Sequence, residues 1–164
     1  MASWAADARY TRLVERHGDS LLHLAMLLVG NRHDAEDIVQ DVLIAVSSKW
    51  TPAQPLAYLK KSVSNRAMNL LSRRREFATS EMPDAAFEPA GFLTYEEDEA
   101  FFALVRVLPE RQRATLVLRY YADLDDAAIA QILGVTPATV RSQAHHALAK
   151  LREQQSTLAG GEQL

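Results

Sequence analysis

Cysteine is absent from the 164 residues, which excludes disulfide staples and thiolate metal sites. A long apolar run is also lacking: the best candidate, 21–29, is too short to span a bilayer and contains His23. The N-terminus, MASWAADARY, has no basic segment leading into an apolar one, so no signal peptide is expected. Histidines at metal-ligand spacing are missing as well. His17, His23 and His33 are not paired at one helical turn, and the neighbours His145 and His146 are expected on different faces. These absences point to a chain of the reducing cytoplasm without membrane segment, metal, cofactor or catalytic chemistry. What remains is 48% hydrophobic and 24% charged, ordinary for one medium or two small globular domains.

A cationic surplus is missing too, since the net charge is −3. Taken globally this argues against nucleic acid, but the charges are segregated. Residues 60–75 carry Lys60, Lys61, Arg66, Arg73, Arg74 and Arg75 with no acid among them. Residues 81–99 carry Glu81, Asp84, Glu88, Glu96, Glu97, Asp98 and Glu99 with no base. Adjacent blocks of opposite sign suggest separate surfaces for separate partners.

The most informative stretch is 126–151, DAAIAQILGVTPATVRSQAHHALAKL. Ala127, Ala128, Ile129, Ile132 and Leu133 form the apolar face of a first helix. Gly134 stands where a left-handed C-terminal turn favours a residue without Cβ, and Val135 can fill the angle. Thr136 is an N-cap, and Pro137 suits the first helical position. The second helix turns Val140, Ala144, Ala147, Leu148 and Leu151 inward. Thr139, Arg141, Ser142, Gln143, His145 and His146 are left at its start and on its outer side. A helical hairpin in an ordinary bundle uses similar turn residues. A polar outer helix after this turn favours a helix-turn-helix that enters a DNA major groove.

The rest of the chain also reads as helix, giving an all-α protein. Over 5–29, Tyr10, Leu13, Val14 and His17 share one side. Gly18 and Asp19 interrupt, and Ser20 caps a second run through Leu21, Leu22, Leu24, Ala25, Leu28 and Val29. Asp34 opens the next helix, to about Lys49, with Ile38, Val39, Val42, Leu43, Ala45 and Val46 inward. Asp34, Asp37 and Asp41 recur outside beside Glu36 and Gln40; such acids either suit the helix dipole or form a docking stripe for a basic partner. The loop 50–55 holds Trp50, Thr51 and Gln54 between two prolines. The helix after it, to about Arg75, turns Leu59, Val63, Ala67, Leu70 and Leu71 inward. Its other side shows Tyr58, Lys60, Lys61, Ser62, Asn65, Arg66 and Asn69, which can hold phosphates and stack on or hydrogen-bond to bases. A solvated amphipathic helix with a basic end would look similar. Residues 77–95 lose all periodicity around Pro83, Pro89 and Gly91 and read as a linker. Helix restarts at Glu96, with Ala100, Phe101, Leu104, Val105 and Leu108 apolar. Pro109 starts another, with Ala114, Val117, Leu118 and Tyr121 inward. Gly160 and Gly161 mark a frayed end.

Two stretches carry a resemblance to a known family. One is DAEDIVQDV at 34–42 with AYLKKSVSNRAMNLLSRRR at 57–75. The other is LPERQR at 108–113 with LRYYADLDDAAIAQILGVTPATVRSQAHHALAKLR at 118–152. In this order and spacing the chain resembles an extracytoplasmic-function (ECF) sigma factor of bacterial RNA polymerase, most of all the short actinobacterial SigE-like subset. The resemblance implies region 2 over 1–76, an acidic linker over 77–95, region 4 over 96–155 and a frayed tail over 156–164. It implies docking on the β′ coiled coil of core RNA polymerase through Asp37, Gln40 and Asp41, and a further contact with the β flap. It implies that the loop with Trp50, Thr51 and Gln54 captures a flipped base of the −10 element. Tyr58, Lys60, Lys61, Asn65, Arg66, Asn69 and Arg73 would contact that element and its backbone. Thr139, Arg141, Ser142, Gln143, His145 and His146 would read the −35 element. Promoter DNA and core polymerase are then the partners, an anti-sigma factor is a further candidate, and the linker would run through the polymerase near its active site.

The chain departs from the family at several positions. Ala138 stands where many members have glycine, and Gln143 and His146 where many have arginine. An arginine fork on guanine is therefore absent at those two positions, while Gln143 can pair with adenine. Ser64 also replaces a common arginine. The competing class is a stand-alone helix-turn-helix regulator, which leaves the acidic and basic helices of the N-terminal half without a role.

Overall fold

The computed structural model describes the backbone of residues 3–47, 56–77 and 96–161, with side chains over 8–47, 56–77 and 99–161. The described residues contain helices and turns but no strand. They fall into two compact units, Met1–Tyr95 and Glu96–Leu164.

The first unit is built on α1 (Ser3–Val29), α2 (Arg32–Ser47) and α3 (Leu56–Phe77). The interruption expected at Gly18 and Asp19 does not occur, because α1 runs through both. A helical glycine costs about 1 kcal/mol relative to alanine. Against this, Leu21, Leu24, Leu27 and Leu28 are fully buried, each worth about 1.5–3 kcal/mol. Burial therefore overrides the local breaker. Ser20, expected as a cap, instead donates its hydroxyl to the carbonyl of His17 at 3.2 Å, a mid-helix arrangement.

Gly30 ends α1 in the left-handed region, φ 70°, its N–H donating to the carbonyl of Met26. Asn31 then caps α2, its Oδ1 accepting from the Asp34 N–H at 3.1 Å. The helix therefore opens at Arg32 rather than at Asp34, since the amide side chain one turn earlier supplies the cap. Ala35, Ile38, Val39, Val42, Leu43 and Val46 face the core, whereas Ala45, expected inward, is exposed. On α3, Leu59, Val63, Ser64, Ala67 and Met68 are buried. The Arg74 guanidinium donates to Asp34 Oδ2 at 2.6 Å, fastening the end of α3 to the first turn of α2. The expected linker touches α3 at Phe77, and its remainder, 78–95, lies outside the described residues.

The second unit begins with α4 (Glu96–Val105) and α5 (Glu110–Leu116). Phe102, Val105 and Leu108 are buried, while Leu104, expected inward, is 40% exposed; Ala100 is exposed as well. Phe101 stacks on Tyr121 with ring centroids 6.2 Å apart. Pro109 stands at the N-cap of α5 with extended ψ 152°. After α5 the chain widens into a π-helical turn, Val117–Tyr121, which the sequence pattern does not foreshadow. Asp123 ends this passage at φ 56°; aspartate is among the few residues that tolerate that region.

α6 (Asp126–Leu133) and α7 (Pro137–Gly161) follow. Asp125 caps α6, accepting from the Ala128 N–H at 2.8 Å. Gly134 ends it at φ 66°, and Thr136 accepts from the Thr139 N–H at 3.2 Å to start α7. Ala128, Ile129, Val140, Ala144 and Ala147 are buried, whereas Ala127 is exposed. Helix continues to Gly161 where the glycines suggest fraying from 156, although 155–161 are all exposed.

Two stability predictions follow from the first unit. A Cβ on Gly18 would meet only Val14 Cγ1, at 3.6 Å, an ordinary contact. Gly18→Ala should therefore raise stability by about 0.5–1 kcal/mol, read from urea denaturation; a lower midpoint would show that α1 needs its glycine. Arg74→Ala should lower stability by up to about 1 kcal/mol. An unchanged midpoint would show that apolar contacts alone hold the end of α3.

Candidate functional site

The outer face of α2 divides into residues with different work. The Asp34 side chain is 16% exposed and bound to Arg74. It is a strut between helices and stands apart from the exposed Asp37 and Asp41. Asp37 and Asp41 keep 61% and 65% of their side chains exposed. Their partners stand farther off, His33 Nε2 at 3.5 Å from Asp37 and Arg66 Nη1 at 3.7 Å from Asp41. Gln40 is exposed beside them. The exposed Ile44 lies one turn beyond on the same helix. Such loose exposed pairs contribute little to folding, so both carboxylates are open to a basic partner.

Between α2 and α3 lies a groove of about 400 Å³ lined by Val42, Ala45, Val46, Tyr58, Ser62, Asn65 and Arg66. Its floor is apolar and its wall carries a phenol, a hydroxyl, an amide and a guanidinium. That combination can stack on and hydrogen-bond a planar ring. Tyr58, Asn65 and Arg66 are expected site residues that the fold brings together here. Ser62, expected on the side of α3 that can meet phosphates and bases, lines the groove too, whereas Val42, Ala45 and Val46 are lining residues that apolar spacing assigns to the core, and that spacing gives no sign of the groove. Lys61, Asn69 and Arg73 are exposed along α3 and Lys60 is half-buried. Trp50, Thr51 and Gln54 lie outside the described residues. Ser64 is fully buried, with its hydroxyl donated to the Lys60 carbonyl at 2.6 Å. It belongs to the core packing of α3 and presents nothing to a ligand.

In the second unit the LPERQR segment leads into α5 and holds both buried and exposed residues. Leu108 is buried. Burial lowers the Arg113 pKa, partly offset by the carboxylate of Glu110. The outward surface is on α7. Arg141, Ser142, His145 and His146 are exposed, and Gln143 is half-buried. Thr139 is half-buried and shares a hydroxyl hydrogen bond with Thr136 at 3.0 Å, so the turn uses part of its polar capacity. The rings of His145 and His146, expected on different faces, meet edge to face at 5.8 Å. Arg141 lies 3.8 Å from Asp126. The arrangement offers donors and acceptors along one exposed helix, as major-groove reading requires. Among the described residues no group of three or more His, Asp or Glu could hold a metal, and no helix is long and apolar enough to cross a membrane.

Comparison with known proteins agrees with this division. Residues 13–77 match the family profile of sigma-70 region 2, and residues 98–151 that of sigma-70 region 4. The RNA polymerase sigma-E factor of Streptomyces avermitilis is 30% identical over 152 residues, covering 88% of this chain and 84% of that protein. The ECF RNA polymerase sigma factor SigM of Mycobacterium tuberculosis is 30% identical over 92% of this chain and 80% of its own length. The fold is shared with the sigma factor RpoE of Bartonella quintana, solved with the anti-sigma factor NepR. That likeness has a TM-score of 0.62 at 22% identity and covers 90% of this chain and 96% of the other. With a region 2 match on the helices that form the groove and a region 4 match on the helix-turn-helix, the chain belongs to the ECF sigma factors of bacterial RNA polymerase, of the SigE-like type.

Proposed function

We propose that the two units divide promoter recognition between them. As a sigma factor the chain directs core RNA polymerase to promoters, and the chemistry of RNA synthesis belongs to the polymerase. In our reading the first unit docks through Asp37, Gln40 and Asp41 on the β′ coiled coil. Its groove and the Trp50, Thr51 and Gln54 loop receive an unstacked base of the −10 element. Lys60, Lys61, Asn69 and Arg73 hold the adjoining backbone. A base enters such a groove only after leaving the duplex, so its binding favours the open state and couples recognition to melting.

The second unit reads the −35 element through Arg141, Ser142, Gln143, His145 and His146, with Thr139 at the helix start and the β flap as its polymerase contact. Phosphate contacts fix register and base-edge contacts fix sequence. The acidic linker spans the two units across the polymerase interior. Free protein at net charge −3 binds DNA weakly, because counterion release scales with the phosphates neutralised. The protein acts in the cytoplasm, and an anti-sigma factor that covers these surfaces is a candidate regulator. The observation that carries the proposal is the α2–α3 groove with an acidic stripe beside it, which a stand-alone regulator has no use for.

Two substitutions test the assignment. Asp37→Lys with Asp41→Lys should abolish co-purification with core polymerase while the isolated chain stays helical by circular dichroism. Retained binding would reduce the stripe to a solvated face. Arg141→Ala should cut transcription from a cognate linear promoter by about 10-fold, with core binding unchanged. Equal activity of wild type and variant across upstream-element variants would remove α7 from recognition.

A further inference from the structure

Two consecutive aspartates open α6, and they do different things. Asp125 is the cap, with its carboxylate accepting from the Ala128 N–H at 2.8 Å. Asp126 is therefore not needed for capping, and its carboxylate reaches out to two other elements. Oδ1 lies 3.7 Å from Arg119 Nη1 in the π turn, and Oδ2 lies 3.8 Å from Arg141 Nη1 on α7. The Asp126 side chain is 25% exposed and that of Arg141 60%. Arg119 is steadied by a second contact, its guanidinium standing 6.0 Å from the centroid of the Tyr120 ring. One oxygen thus faces the cation in the π turn, and the other faces the cation that leads the outer surface of α7.

We propose that Asp126 is a specificity-determining residue, which weakens the attraction of Arg141 to DNA phosphates while leaving it free to engage a base edge. The inference rests on the assignment of α7 to the upstream promoter element. A guanidinium has five donors in a fixed fork, and Nη1 of Arg141 stands 3.8 Å from Asp126, beyond hydrogen-bond reach. Attraction to phosphate is a net-charge effect, carries no sequence information and falls when a carboxylate stands beside the cation. A paired hydrogen bond to a base depends on direction and geometry, and at 3.8 Å the carboxylate leaves the N–H groups of Arg141 available to make it. The acid therefore costs more in non-specific binding than in specific binding.

The full chain, reconstituted with core polymerase, is titrated over a range of salt against two duplexes. One is selected by that holoenzyme from a randomised pool; the other is the same duplex with its upstream element scrambled. Asp126→Asn should bind the scrambled duplex about 3- to 10-fold tighter and steepen the log–log salt slope by about 1. Discrimination between the duplexes should fall by the same factor. Asp126→Glu, which keeps the charge, should retain wild-type discrimination. In an Arg141→Ala background, Asp126→Asn should change neither quantity. Unchanged slope and discrimination in Asp126→Asn overturn the proposal, and so does equal behaviour of the Asn and Glu variants. A lowered melting temperature with discrimination intact would make Asp126 a packing residue and overturn it as well. If Arg141→Ala alone leaves preference for the selected duplex untouched, the assignment of α7 itself fails, which is a separate result.

Discussion

The backbone at Gly134 is the constraint on which the second unit depends. Its φ of 66° is left-handed, and a Cβ placed there would find nothing within 4 Å. Room is therefore not the issue. A residue with a side chain would carry the intrinsic penalty of the left-handed region, about 1–2 kcal/mol, at the point that sets the angle between α6 and α7. An eight-residue helix such as α6 is too short to be stable alone. It persists because that turn packs α6 against α7, with Ala128, Ile129, Val140, Ala144 and Ala147 all buried. Capping by Asp125 and Thr136 satisfies the backbone donors on either side. The exposed polar row of α7 is a consequence of that burial, since the apolar residues have taken the inner positions.

Electrostatics in the first unit follows a similar division. Three aspartates at helical spacing look alike in sequence, yet they sit in different surroundings. Asp34 joins Arg74 at 2.6 Å and is largely covered, so its charge is committed to joining two helices. Asp37 and Asp41 hold their partners at 3.5 and 3.7 Å with most of their surface in water. Asp41 and Arg66 also bring the acidic stripe and the groove into direct contact, so the two surfaces share an edge.

Legibility in the sequence tracked the range of the interaction. The helix-turn-helix was readable because its determinants are local: glycine for a positive φ, threonine for a cap and proline after it. The all-α fold was readable from apolar periodicity in the same way. Gly18 misled because the energy that keeps α1 continuous comes from leucines packed against other helices. The role of Asp34 was invisible because its partner is 40 positions away. The groove combines residues from α2 and α3 that no single helical wheel places together. The capping role of Asn31 was legible in principle, since asparagine after glycine is a common helix start, but Asp34 offered a competing signal.

The π turn at Val117–Tyr121 changes what spacing means in the second unit. An α-helical ruler allots 3.6 residues to each turn, and this passage holds one residue more than the ruler has room for. Residues of α5 and of this turn therefore share a face at separations about one residue longer than the α-helical spacing. A residue-for-residue comparison with a relative that lacks the wider turn stays in step along the chain while falling out of step around the helix axis. Arg119 sits inside this passage and reaches Asp126 at 3.7 Å. Here correspondence between two chains has to be measured as an angle, and counting residues is insufficient.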